Sequence, residues 1–140
     1  KREGDGATPG GAFLLRRALY RQDRLSRPQT RLPLKALRPD DGWSDDPADP
    51  FYNRPVTRPH PFSHETLWRA DNLYDVIVVI GHNDAPVIPG HGSAVFIHLA
   101  TVDYSPTAGC VAVAAHDLLG LLATCRPGDV VEIIGPGSAA

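Results

Sequence analysis

Methionine is absent from this 140-residue chain, and cysteine occurs only twice, as Cys110 and Cys125. A single bridge between them is a poor explanation for the stability of a domain this size, so the chain does not read as a disulfide framework. Long apolar runs are also missing, and no window approaches the ~18 residues of a membrane span. The start has neither an initiator Met nor a signal-type apolar segment, so Lys1 is expected to open a processed or trimmed chain, with any targeting information before it. Charge of one sign is not in excess: the formal net charge is −2, which removes any strong average pull toward nucleic acid or an anionic membrane. No segment repeats at a fixed period, which excludes solenoids. No GK[ST] follows the glycines of KREGDGATPGG, so they read as loop chemistry and not as a phosphate cradle.

What the chain does have is punctuation. Thirteen glycines and 14 prolines shorten any helix and favour strands joined by turns, while 42% hydrophobic content is enough for one core. A single domain over residues 1–140, mainly β (α+β), is therefore expected. A short apolar run, Ala12 to Leu15, predicts a first strand. The stretch from Arg16 to Phe62 is rich in Arg, Asp and Pro with no sustained period, and reads as a long variable insertion with at most a short element, held down by Trp43, Phe51 and Tyr52. Its basic run, Arg16 to Arg38, is followed by Asp40, Asp41, Asp45, Asp46 and Asp49. It reads either as a patch for a polyanion or, the reading preferred, as a solvated insertion neutralised internally.

From Leu67 the pattern sharpens. DVIVVIG is a β-branched series suited to a strand buried on both faces. SAVFIHLA predicts a second strand that puts Ala94, Phe96 and His98 on one face and Val95, Ile97 and Leu99 on the other. CVAVA predicts a short third strand and HDLLGLLATC a helix with Leu118, Leu119, Leu121 and Leu122 as its apolar stripe. RPGD is a turn, and VVEII a last strand.

The chemistry lies between the second and third of these strands. A thiol becomes a nucleophile when cationic groups or oriented N–H groups stabilise its thiolate and a nearby histidine moves its proton. The loop from His98 to Cys110 is long enough to bring imidazole and sulfur to one sheet edge, and Gly109 permits close backbone approach. On spacing alone, the preferred reading of Cys110 is a small buried hydrophobe and of His98 a packed, hydrogen-bonded histidine.

SAVFIHLA, followed by Thr-x-Gly-Cys-Val at Thr107 to Val111, a Leu-rich helix, a Pro-Gly turn and a final strand, resembles the catalytic core of the L,D-transpeptidase family, the YkuD-type domain of bacterial cell-wall enzymes. GDGATPGG resembles the segment that precedes an early strand in that family, and YDVIVVIGHN, Tyr74 to Asn83, its strand leading into the site. GWSDDP, Gly42 to Pro47, and YNRPV, Tyr52 to Val56, resemble a divergent branch. The resemblance implies a β-sandwich with one or two short helices, part of whose N-terminal portion would precede Lys1. It implies Cys110 as nucleophile and His98 as its base, with the backbone carbonyl of Leu99 orienting the imidazole and the N–H groups of Gly109 and Cys110 as an oxyanion hole. His82, Tyr104 and Thr107 become substrate contacts, with His82 expected where its strand enters the same pocket. Ala108 and Ala112 depart from the family pattern, in which a His and a polar residue are usual.

The activity implied is a cysteine-dependent transfer on peptidoglycan stem peptides through a thioester, with no metal or organic cofactor and no nucleic-acid partner, in a bacterial envelope, periplasmic or secreted. A thiol hydrolase on the same polymer, a carboxypeptidase or amidase, shares that acyl-enzyme. A third reading, a metal-binding or non-catalytic wall-binding domain, would use His82, His91, His98 and Cys110, although no tight CxxC or HxxxH pair exists. Cys125 is expected to be a structural thiol, and a Cys110–Cys125 disulfide would block the chemistry.

Overall fold

A computed structural model describes residues 1–101, 107 and 109–134. In chain order its elements are β1 (Gly11–Tyr20), β2 (Leu34–Ala36), β3 (Asp41–Ser44), β4 (Pro55–Thr57), β5 (His64–Thr66), β6 (Val76–Ile80), β7 (Phe96–Leu99), β8 (Val111–Val113), α1 (Ala115–Thr124) and β9 (Val130–Ile133). The fold is mainly β. A six-stranded sheet runs β2-β1-β6-β7-β8, with β9 also pairing β1, and a three-stranded sheet runs β4-β3-β5.

The long β1 serves both parts of the large sheet. Gly11 to Leu14 pair antiparallel with β9, and Leu15 to Tyr20 pair antiparallel with β6. Within the β6 pairing, between Leu15 and Arg17, Arg16 is the extra residue of a bulge, and its guanidinium meets Asp84 at 3.0 Å. Gly81 lies beneath that guanidinium, and a Cβ there would stand 2.8 Å from Arg16 Nε, so only glycine leaves the side chain its path.

The VIVVI run of β6 is buried at every position, as its unbroken β-branched sequence requires. Its alternation feeds two cores. Val76, Val78 and Ile80 join Leu15, Val95 and Ile97 under Leu118 and Leu122 of α1. Ile77 and Val79 point the other way, to Leu19, Leu37, Trp43, Leu67, Tyr74 and Phe96 beneath the small sheet. Each fully buried aliphatic side chain contributes roughly 1.5–3 kcal/mol relative to exposure, so this one strand anchors both layers. The faces predicted for SAVFIHLA are the faces found. Of the leucine stripe in α1, Leu118 and Leu122 are buried one turn apart, Leu121 packs against their cluster, and Leu119 is 38% exposed.

The stretch from Arg16 to Phe62, expected to carry at most a short element, carries several. Its first residues are the second half of β1, and β2, β3 and β4 follow, so the segment supplies most of the layer over the second core. These strands are three or four residues long and cross only a few neighbours, too short to register a period in sequence. Trp43 and Tyr52 are buried in it, but Phe51 is 57% exposed and holds nothing down. The expected internal neutralisation is also different. Arg16 and Arg24 pair with Asp84 and Asp75 far along the chain, and only Arg21 pairs locally, with Asp23. Arg21 is 4% exposed, its guanidinium stacked 3.6 Å from the Trp68 ring. Among the later acids, Asp49 is buried and accepts hydrogen bonds from the Ser44 hydroxyl, the Phe51 N–H and the His60 ring.

Candidate active site

β7 and β8 run parallel, with Ile97 opposite Val111 and His98 opposite Ala112. Cys110, one residue ahead of β8, therefore comes level with Phe96, and the Phe96 N–H donates to its sulfur at 3.4 Å. His98 lies two residues on from Phe96 on the same face of β7. The side chains of His98 and Cys110 thus open into one cavity of about 370 Å³ between the two sheets, also lined by Glu65, Arg69, Tyr74 and Thr107.

His98 is 4% exposed. Its Nδ1 lies 2.8 Å from the Leu99 carbonyl, a contact in which the nitrogen donates, leaving the lone pair of a neutral ring on Nε2. Burial lowers its pKa, against the Leu99 carbonyl, so the resting ring is neutral. The Tyr74 ring meets it edge-on at 5.3 Å. The Cys110 thiol is half-buried and donates to the Ala94 carbonyl at 3.1 Å. Burial pushes it up to about 11; the Phe96 N–H pulls it the other way, and the Glu65 carboxylate pushes it further up. The resting pair is a neutral thiol and a neutral imidazole, not an ion pair, with no direct hydrogen bond between them among the described residues.

The turn before Cys110 is built on Thr107 and Gly109. The Thr107 hydroxyl donates to the Cys110 carbonyl at 2.6 Å and accepts the Gly109 N–H at 3.3 Å. Gly109 sits at φ +121°, where a Cβ would come within 2.8 Å of the Ala7 carbonyl oxygen. The N-terminal loop that sequence reading took for simple entry chemistry therefore packs against the turn that carries the cysteine.

Other expected contacts fall elsewhere. His82 is not in the Cys110 cavity: it lines a second cleft of about 280 Å³, against Arg16, Asn53 and Asp84. Its Nε2 lies 3.1 Å from the His91 carbonyl, and Phe13 meets its ring edge-on. The reason is geometric, because β6 ends at Ile80 and the chain turns away over the bulge of β1 before His82. Tyr104 and Ala108 lie outside the described residues, and Ala112 lines the cavity opposite His98. Cys125 is a free thiol, as is Cys110, and it is buried with the helix-side core on the other face of the large sheet. Among the described residues no group of three His, Cys, Asp or Glu side chains is arranged to hold a metal ion.

Sequence reading passed over Glu65, Arg69 and Tyr74 as site residues. Tyr74 donates to Glu65, whose pKa is raised by burial, the Tyr74 hydroxyl acting against that shift. The Arg69 guanidinium stands 5.3 Å over the Tyr74 ring. The only sequence signal was an aromatic two residues ahead of an all-apolar strand, since β5 is three residues long and shows no alternation.

No curated protein and no solved structure matches the chain. The family of the L,D-transpeptidase catalytic domain, YkuD, matches residues 1–133. With that match over nearly the whole length, a mainly β sandwich and a cavity holding the motif's histidine and cysteine, the chain belongs to the L,D-transpeptidase catalytic-domain family.

Proposed function

We propose that the protein is a cysteine-dependent L,D-transpeptidase that exchanges peptide bonds in peptidoglycan stem peptides through a thioester. The observation that carries this reading is the parallel pairing of β7 with β8, which puts His98 and Cys110 in one cavity with Nδ1 engaged by Leu99 and Nε2 left as the base. His98 Nε2 takes the thiol proton as the sulfur attacks the substrate carbonyl carbon. The oxyanion of the tetrahedral intermediate is accepted by the N–H groups of Gly109 and Cys110, displacing the long 3.3 Å contact of Gly109 with Thr107. The C–N bond then breaks, and the amine leaves with the proton from His98. An acceptor amine loses a proton to His98, attacks the thioester, and releases the thiolate, which is reprotonated.

A thiol pushed up to about 11 supports activation by bound substrate, because a neutral pair does not react until the carbonyl is in place. The family acts on peptidoglycan, and the proposed location is accordingly the bacterial envelope, periplasmic or secreted. Among the described residues no helix is long and apolar enough to cross a membrane. The test is mass spectrometry of a stem-peptide substrate, with and without an added acceptor amine. Cross-linked product that needs both Cys110 and the amine is expected. Product formed equally by Cys110→Ala would remove the nucleophile, and water as sole acceptor would make the protein a hydrolase.

A further inference from the structure

The GWSDDP and YNRPV motifs contain no residue of the catalytic pair, yet they meet each other behind it. Asn53 is 7% exposed and sits in the left-handed region at φ +57°. Its Oδ1 accepts the Trp43 indole N–H at 2.9 Å and the Ala94 N–H at 3.1 Å. Its Nδ2 donates to the His82 carbonyl at 3.1 Å and the Asn83 carbonyl at 2.8 Å. One amide thus ties β3, the end of β6 and the entry to β7 together with every site it has for hydrogen bonding in use. The neighbouring Tyr52 adds to the grip, its hydroxyl accepting the Gly92 N–H at 3.0 Å.

Ala94 is the reason this matters for chemistry. It holds φ at +52°, a left-handed conformation that an alanine rarely adopts. Its carbonyl accepts the Cys110 S–H at 3.1 Å. The amide of Asn53 holds the N–H of the same residue, so the group that Asn53 fixes and the carbonyl that meets the sulfur flank the one strained Cα of Ala94.

We infer that Asn53 is a positioning residue for the Cys110 thiol, acting through Ala94, and that the GWSDDP and YNRPV motifs exist to hold it there. The inference rests on the reading of Cys110 as nucleophile. The ionisable groups around the sulfur and its cavity are Glu65 of β5, Arg69 and Tyr74 ahead of β6, His98 of β7, Asp45 after β3, and Lys1 and Glu3 of the N-terminal segment, and Asn53 bonds to none of them. A change at Asn53 therefore reaches the thiol by geometry and not by adding or removing a neighbouring charge.

The test compares Asn53→Gly, which keeps φ +57° unstrained while deleting the side chain, with Trp43→Phe, which removes a bond to the same Oδ1 without touching Ala94. Turnover of a stem-peptide substrate is measured together with iodoacetamide labelling of Cys110 against pH, resolved by peptide mapping, with protection of buried Cys125 reporting the intact fold. Loss of the side chain frees the Ala94 carbonyl, which favours the protonated sulfur, so the labelling midpoint of Cys110 in Asn53→Gly is expected to fall. Its kcat is expected to drop about tenfold with KM within about twofold, while Trp43→Phe keeps the wild-type midpoint. An unchanged midpoint and kcat in Asn53→Gly would overturn the inference, as would the same change in both variants. Loss of Cys125 protection in Asn53→Gly would assign Asn53 to stability alone and equally overturn it. Turnover surviving in Cys110→Ala would instead remove the nucleophile reading, an outcome the labelling data do not share.

Discussion

The two faces of the large sheet are built from the same strands and held by different forces. On the helix side Leu15, Val76, Val78, Ile80, Val95 and Ile97 meet Leu118 and Leu122 with only the thiol of Cys125 as a polar atom in the buried cluster. On the other side Ile77, Val79 and Phe96 meet Trp43 and Tyr74, and around that cluster Asn53, Asp49, Ser44 and His98 are buried with hydrogen bonds. The apolar face stabilises by area removed from water, which is non-directional and tolerates a swap of similar volume. The polar face fixes angles and distances, and an isosteric change that loses one hydrogen bond is enough to disturb it. The cysteine and histidine are on the face where geometry is specified atom by atom.

That contrast is tested first where the effect is largest. Cys110→Ala is expected to lower turnover by about 10⁴-fold or more, with only a small loss of thermal stability, since the alanine forgoes two weak sulfur hydrogen bonds, from the Phe96 N–H and to the Ala94 carbonyl; residual turnover near wild type would detach the polar face from catalysis. His98→Gln is expected to lower kcat by about 10²–10⁴-fold, with the folded far-ultraviolet spectrum retained. On the opposite face Leu122→Ala is expected to cost about 2–5 kcal/mol in urea unfolding, while kcat measured where the protein remains folded stays near wild type. A kcat loss there as large as that of His98→Gln would show that the two faces are not separable.

A smaller effect belongs to the hydrogen bonds alone. The Ser44 hydroxyl and His60 ring help to hold the buried Asp49 carboxyl below the usual carboxylate range, against its burial. Ser44→Ala changes almost no volume and is expected to destabilise by roughly 1.5–3 kcal/mol, the range for a hydrogen bond to a charged group. A neutral result would put the stability of this face in packing. The least change is expected in alkaline solution. The folded Cys110 thiol titrates at about 11, above the ~8.5 of a free thiol. Its contribution is fully present below the unfolded value and is lost as pH rises through that interval, because only the unfolded chain then releases the proton. Urea unfolding at a series of pH values should show a shallower alkaline decline in Cys110→Ala than in wild type, and parallel curves would remove burial of the thiol as the cause.

Legibility followed element length. The VIVVI strand, the alternation of SAVFIHLA and the leucine pair Leu118 and Leu122 were all legible, because five or more residues facing one or two cores leave a period. The segment from Arg16 to Phe62 was not, since three- and four-residue strands between Arg, Asp and Pro carry no period and are fixed by partners distant in sequence. His82 shows the same limit at the site. Its neighbourhood in sequence, at the end of a catalytic-side strand, suggested the Cys110 cavity, and a one-residue bulge at Arg16 beside that strand goes with its place in another cleft.

What the sequence by itself determined is the pair of residue types and the strands that carry them: an apolar strand ending in histidine, a turn with glycine, and a cysteine opening the next strand. Alternation along β7 decides which face His98 takes, and that follows from the chain's own period. What only the tertiary structure decided is the state of the thiol and who holds it. Its burial, its neutral partner His98, the Ala94 carbonyl and the Asn53 amide come from segments separated from it in sequence, by 12 residues for His98 and by 57 for Asn53. Desolvation and hydrogen-bond direction depend on those neighbours in space, and no local pattern encodes them.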